Sequence, residues 1–156
     1  MMLKLNNYDR GYHIASFAKT DRTLSNMNCK DYSIVYLEDD ALIFYPEQWC
    51  VKLEEDEIEA FNKVGEHSIL EFGKEEVYIY YDSTSVDNAL FITNKCNSNC
   101  VMCPTSDIVR RNSGIECIDN LLKISSQIPS DAVHITITGG EPFLLKKDIF
   151  TLFNYL

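Results

Sequence analysis

Of the six cysteines in the chain, three crowd into one stretch, Cys96-Asn97-Ser98-Asn99-Cys100-Val101-Met102-Cys103. Three residues separate the first pair and two the second, a length over which one loop can wrap three thiolates around a single centre. Thiolates are soft ligands for iron-sulfur clusters and for zinc, and both centres take four ligands when the site is closed. This loop leaves one position unfilled. On a cubane cluster the open iron is free to bind a small molecule, whereas zinc would need a fourth protein ligand such as Cys117 or His134.

A second constellation follows, Thr138-Gly139-Gly140-Glu141-Pro142, placed after an alternating run that reads as a strand. Two glycines permit a close backbone approach or a positive φ. Exposed carbonyls together with the Glu141 carboxylate suit a cationic amino group better than a phosphate, because every one of those oxygens accepts and none donates. In parallel α/β architectures ligands bind at the C-terminal ends of strands, which puts both motifs on one face.

Cys-x3-Cys-x2-Cys in the loop after a first strand, then Gly-Gly-Glu-Pro after the second, resembles the radical S-adenosylmethionine superfamily. That resemblance implies a [4Fe-4S] cluster held by Cys96, Cys100 and Cys103. Its fourth iron would be chelated by S-adenosylmethionine, whose amino group the Gly139-Gly140-Glu141 turn would receive. Met102 stands where the family commonly carries an aromatic residue near the adenine, and a thioether can pack on a purine face. The implied fold is α/β, with a small N-terminal α+β module followed by the first βα units of a partial TIM-like (β/α)6 barrel. The resemblance covers residues 89–156, the first third of such a domain. Among subgroups, the loop wording Cys-Asn-Ser-Asn-Cys-Val-Met-Cys-Pro is most similar to maturases of His-Xaa-Ser peptide systems. A peptide substrate, a second radical maturase and an electron donor of flavodoxin or ferredoxin type are the partners this implies. Two other readings stay open: a zinc-stapled binding module without turnover, and a degenerate, inactive subunit that keeps the motif.

The elements that must position these residues can be read from periodicity. Ala89 to Thr93 is a short apolar run, Ile115 to Ile128 carries Ile118, Leu121, Leu122 and Ser125 at helical spacing, and Val133 to Thr138 alternates. Strand, cysteine loop, helix and strand make a βαβ crossover. Lys147 to Leu156 begins another helix, with Ile149, Leu152, Phe153 and Leu156 on one face. Upstream, Ser33–Leu37, Ala41–Tyr45 and Val77–Tyr81 read as strands, the first two as a hairpin about Glu38-Asp39-Asp40. Glu54 to Val64 predicts an amphipathic helix with Ile58, Phe61 and Val64 inward. The stretch 82–88 is the expected linker between an accessory module, 1–88, and the cofactor-binding part, 89–156.

Composition sets the outer limits. With 156 residues, 46% hydrophobic and 24% charged, the chain is globular in character. Lys and Arg number 14 against 24 Asp and Glu, a net charge of −10, and all of that excess falls before residue 91. Such a chain is repelled by phosphate backbones and anionic lipid, so neither nucleic acid nor membrane is expected as a partner. A mixed polar start and the lack of a long apolar run point to the cytoplasm. Cys29, Cys50 and Cys117 read as small hydrophobes, His134 as a structural hydrogen-bonding residue, and Arg110 and Arg111 as a solvated pair.

Overall fold

The computed structural model describes residues 2–27, 33–98, 100–103 and 118–156. The strands are β1 (Met2–Lys4), β2 (His13–Ala18), β3 (Ser33–Glu38), β4 (Ala41–Tyr45), β5 (Trp49–Lys52), β6 (Ile69–Phe72), β7 (Glu76–Tyr81), β8 (Asn88–Thr93) and β9 (Ile135–Gly139). Helices α1 (Asp21–Asn26), α2 (Glu55–Asn62), α3 (Ile118–Gln127) and α4 (Lys147–Phe153) join them, with a 3₁₀ turn at Pro142–Leu145.

Seven strands form one mixed sheet in the order β1-β7-β6-β2-β3-β4-β5. Only β2 and β3 within it run parallel; the other neighbours are antiparallel. The expected architecture, a small module leading into a (β/α)6 barrel fragment, is therefore corrected. The mixed sheet dominates the molecule, and the parallel strands β8 and β9 form a separate two-stranded sheet. The reason lies in connection length and strand number: short links favour antiparallel neighbours, so the stretch expected as a small module builds a seven-stranded sheet, while the described residues of 89–156 supply only two parallel strands.

The expected hairpin is present, with Glu38 opposite Ala41 and Asp39 in the left-handed region at φ 49°. Strand β2 carries no alternation because both of its faces are covered. Ala15 and Phe17 enter a core with Val35, Phe44, Phe61, Leu70 and Phe72. Ile14 points the other way, into a second core with Ile69, Tyr81, Leu90, Ile92, Leu121, Ile124, Ile149 and Leu152. Ser16, on that same face, donates its hydroxyl to Gln127 Oε1 of α3 at 2.9 Å. One strand thus joins the large sheet to the helices that cover the parallel pair.

Helix α2 lies within the stretch that its apolar spacing predicts, with Glu54 as its N-cap. Glu57 is buried, and its carboxylate accepts the amides of Asn6 at 2.7 Å and Glu54 at 2.8 Å. Phe61 is fully buried beneath it. In α3, Leu121, Ile124 and Ser125 face the core. In α4, Ile149 and Leu152 do so, but Phe153 and Leu156, expected on that face, are 46% and 45% exposed because the helix ends at Phe153. The stretch 82–88 is a closed loop: Asn88 Oδ1 accepts the Asp82 amide at 2.8 Å, and its Nδ2 donates to the Asp82 carbonyl at 3.1 Å. Among the described residues no helix is long and apolar enough to cross a membrane.

Candidate metal and cofactor site

Strands β8 and β9 run parallel with Phe91 opposite Thr138 and Thr93 opposite Gly139, so both end at the same edge. The chain leaves β8 through Asn94 and Lys95 into Cys96, and leaves β9 through Gly140 and Glu141 into the 3₁₀ turn. Backbone bonds stitch the two exits together. The Gly140 amide donates to the Thr93 carbonyl at 2.6 Å, and the Glu141 amide donates to the Lys95 carbonyl at 2.7 Å. Thr93 is fully buried, and its Oγ1 accepts the Lys95 amide at 3.1 Å.

This contact explains the glycine pair. Gly139 sits at φ +141°, and a Cβ there would collide with the Thr93 carbonyl oxygen. At Gly140 a Cβ would run into the Lys95 carbonyl. The close approach that the sequence allots to a ligand is made first by the protein's own backbone. What the glycines accomplish is to seat the Gly-Gly-Glu turn against the three residues that precede Cys96.

With the Gly140 and Glu141 amides already spent, the turn is poor in free donors and keeps its acceptors. Glu141 Oε1 accepts the Phe143 amide at 3.2 Å, capping the 3₁₀ turn. Asn94 Oδ1, between the two stitched carbonyls, is buried and has no hydrogen-bond partner. Asn94 escaped the sequence reading; its signal was its position directly between strand end and first cysteine. An acceptor-rich edge of this kind suits a ligand that brings N–H donors and positive charge.

The three thiols are free; Cys96 and Cys103 are half-buried and Cys100 is exposed. Cys96 Sγ accepts the Ser98 amide at 3.4 Å, and the Cys103 amide donates to the Cys100 carbonyl at 3.2 Å, closing a turn. At the tip of that turn Val101 and Met102 are 99% and 91% exposed, so Met102 is not packed into either core. Among the described residues no group of three or more His, Cys, Asp or Glu side chains is drawn together to hold a metal ion. The donor set nevertheless fits a thiophilic centre: three soft ligands lie on one loop, and none of them belongs to the buried core.

The remaining sequence candidates separate from this edge. Cys50 lies on β5, the outermost strand of the large sheet, opposite Ile43. His134 precedes β9 and its Nε2 pairs with Thr136 Oγ1 at 3.1 Å on an exposed surface. Cys29, Cys117, Arg110 and Arg111 lie outside the described residues. Compared with protein-family models, curated proteins and solved structures, the chain matches none.

Proposed function

We propose that the chain is a radical S-adenosylmethionine protein acting on a peptide, with a [4Fe-4S] cluster on Cys96, Cys100 and Cys103 and the cofactor's amino group at Gly139, Gly140 and Glu141. The observation that carries this reading is the pairing of the two motifs at one strand edge, by the Gly140–Thr93 and Glu141–Lys95 backbone bonds. The two motifs are separated along the chain by the whole of α3.

When bound and reduced by one electron, the cluster and its ligand supply reductive carbon-sulfur cleavage and a 5'-deoxyadenosyl radical for hydrogen abstraction. The chain's own residues bind and orient. Three thiolates supply three ligands and leave one coordination position for the small molecule. Glu141 and the backbone carbonyls of the turn would accept from an ammonium group, which an edge rich in acceptors favours over a phosphate. Met102, exposed beside Cys103, would pack its thioether on the adenine. The peptide substrate, a companion maturase and a flavodoxin or ferredoxin donor belong to the same proposal, supported by the wording of the cysteine loop.

Anaerobic reconstitution with iron and sulfide, followed by electron paramagnetic resonance of the reduced protein, tests it. The expected result is a cubane signal that shifts when S-adenosylmethionine is added. A cluster whose signal ignores the cofactor would remove the cofactor half of the proposal. Tetrahedral zinc with no cluster would overturn it in favour of a zinc-stapled binding module.

A further inference from the structure

We propose that Asn94 is a positioning residue for the cysteine loop, its Oδ1 receiving the amide N–H of Cys96 once the three thiols are gathered on a metal. The inference rests on the function proposed above and adds to it a residue outside either motif.

Its starting point is an unpaired atom. Asn94 Oδ1 is buried without a protein hydrogen-bond partner, and a buried acceptor rarely goes without one from protein, ordered water or a bound group. The backbone around it is fixed on both sides. Thr93 O holds the Gly140 amide, Lys95 O holds the Glu141 amide, and the Lys95 amide is held in turn by Thr93 Oγ1. The backbone of Asn94 is therefore held in place, and its oxygen gains a partner by a turn of the side chain or a shift of the loop that follows.

The cysteine loop is the segment able to supply that partner. Its thiols are not drawn together among the described residues, so holding one metal centre would bring Cys96, Cys100 and Cys103 closer. The Cys96 amide bonds to no group among the described residues. It also lies two residues after Asn94, the separation at which an Asn or Asp side-chain oxygen closes a turn onto a backbone N–H. Closing that turn pairs a donor that has no partner among the described residues with the buried acceptor in one step. It also fixes the first ligand against the edge that carries Gly139 and Gly140.

The test compares the full chain with Asn94→Ala, Asn94→Gln and Asn94→Asp after anaerobic reconstitution with iron and sulfide, reading the rate at which a chelator removes the iron. Orienting partners of metal ligands are worth about 10- to 100-fold in metal retention, so the Ala and Gln variants are expected to lose iron about that much faster. Gln fails because its longer stem overshoots the two-residue turn, and Asp retains iron nearly as wild type does because it closes the same turn. In the unloaded chain Asn94→Ala is expected to keep or raise the thermal midpoint, since it removes an unpaired oxygen and breaks no bond. Ala and wild type releasing iron equally fast would overturn the inference, as would an unloaded Ala variant that melts earlier. A wild-type chain that takes up no iron would instead sink the functional proposal itself, and the two failures are told apart by the wild-type arm alone.

Discussion

The Gly140 amide lies 2.6 Å from the Thr93 carbonyl oxygen, and this bond fastens the turn after β9 to the last residue of β8. Its neighbour, Glu141 N to Lys95 O at 2.7 Å, extends the contact one step toward Cys96. Two backbones approach this closely only because neither glycine carries a Cβ. The geometry of the candidate site therefore hangs on the glycines as spacers, before any ligand is considered.

Gly140→Ala should destabilise the chain by about 1–3 kcal/mol, because its Cβ meets the Lys95 carbonyl and one of the two backbones must shift. Gly73→Ala is the matched control: its Cβ would find only Glu76 O, at 3.7 Å, and the substitution should fall within about 0.5 kcal/mol of wild type. Urea unfolding of the two variants measures the difference, and equal midpoints would contradict the spacer role.

Glu57 joins the end of β1 to the start of α2 through two accepted amides, those of Asn6 and Glu54. Glu57→Ala leaves both donors without a partner beside the core, and a loss of about 2–3 kcal/mol is expected. Glu57→Gln keeps one acceptor oxygen and should recover part of that loss. Hydrogen exchange at the Asn6 and Glu54 amides reports the same event locally, rising in the Ala variant before global unfolding does.

His13 meets Phe44 edge-on, with ring centroids 5.5 Å apart, and its Nε2 is buried without a partner. Burial, more than the opposing pull of Glu47 or the added push of Lys123, lowers its pKa below 6.5. The unfolded chain then binds a proton at a higher pH than the folded chain, so this group's contribution is complete above about pH 6.5 and declines as the pH falls toward the lowered folded value. Glu66 acts at lower pH. Burial would raise its pKa, but hydrogen bonds from Thr23, Lys19 and Thr20 together outweigh that and hold it below 4.5. Its contribution is lost as the pH drops from 4.5 through that folded value. His13→Phe should flatten the dependence of unfolding free energy on pH just below 6.5 and leave the acidic limb unchanged. A slope identical to wild type in that window would show that His13 is not its source.

Cys96→Ser, Cys100→Ser and Cys103→Ser are each expected to abolish the cubane signal after reconstitution, whereas Cys50→Ser should leave iron content at the wild-type value. Cys50 sits on the outermost strand of the large sheet, outside the cysteine loop. Iron content that fell equally in all four variants would mean nonspecific thiol binding.

Several elements were readable from local pattern, since the forces that set them act within a few residues. The β3–β4 hairpin followed from two Ile- and Tyr-rich runs around an acidic turn, α2 from its spaced apolar residues, and the parallel β8–β9 pair from the strand, helix, strand order. Other elements gave no such signal. Strand β1 is three residues long and pairs with β7, across most of the large sheet's sequence. Strand β2 is buried on both faces, which erases the alternation a half-buried strand displays.

By itself the sequence determined which chemistry is available: three thiols on one loop, a glycine pair ahead of a carboxylate, and the order in which they occur. Only the tertiary structure decided what surrounds them. The residues before 88 assemble as one seven-stranded mixed sheet that dominates the molecule, because pairing between distant strands depends on which faces can be buried together. The glycines serve a backbone contact between two strand ends, and Asn94, silent in any local pattern, holds the unpaired oxygen there. Both facts depend on which atoms meet across the fold, and spacing along a chain carries no record of that.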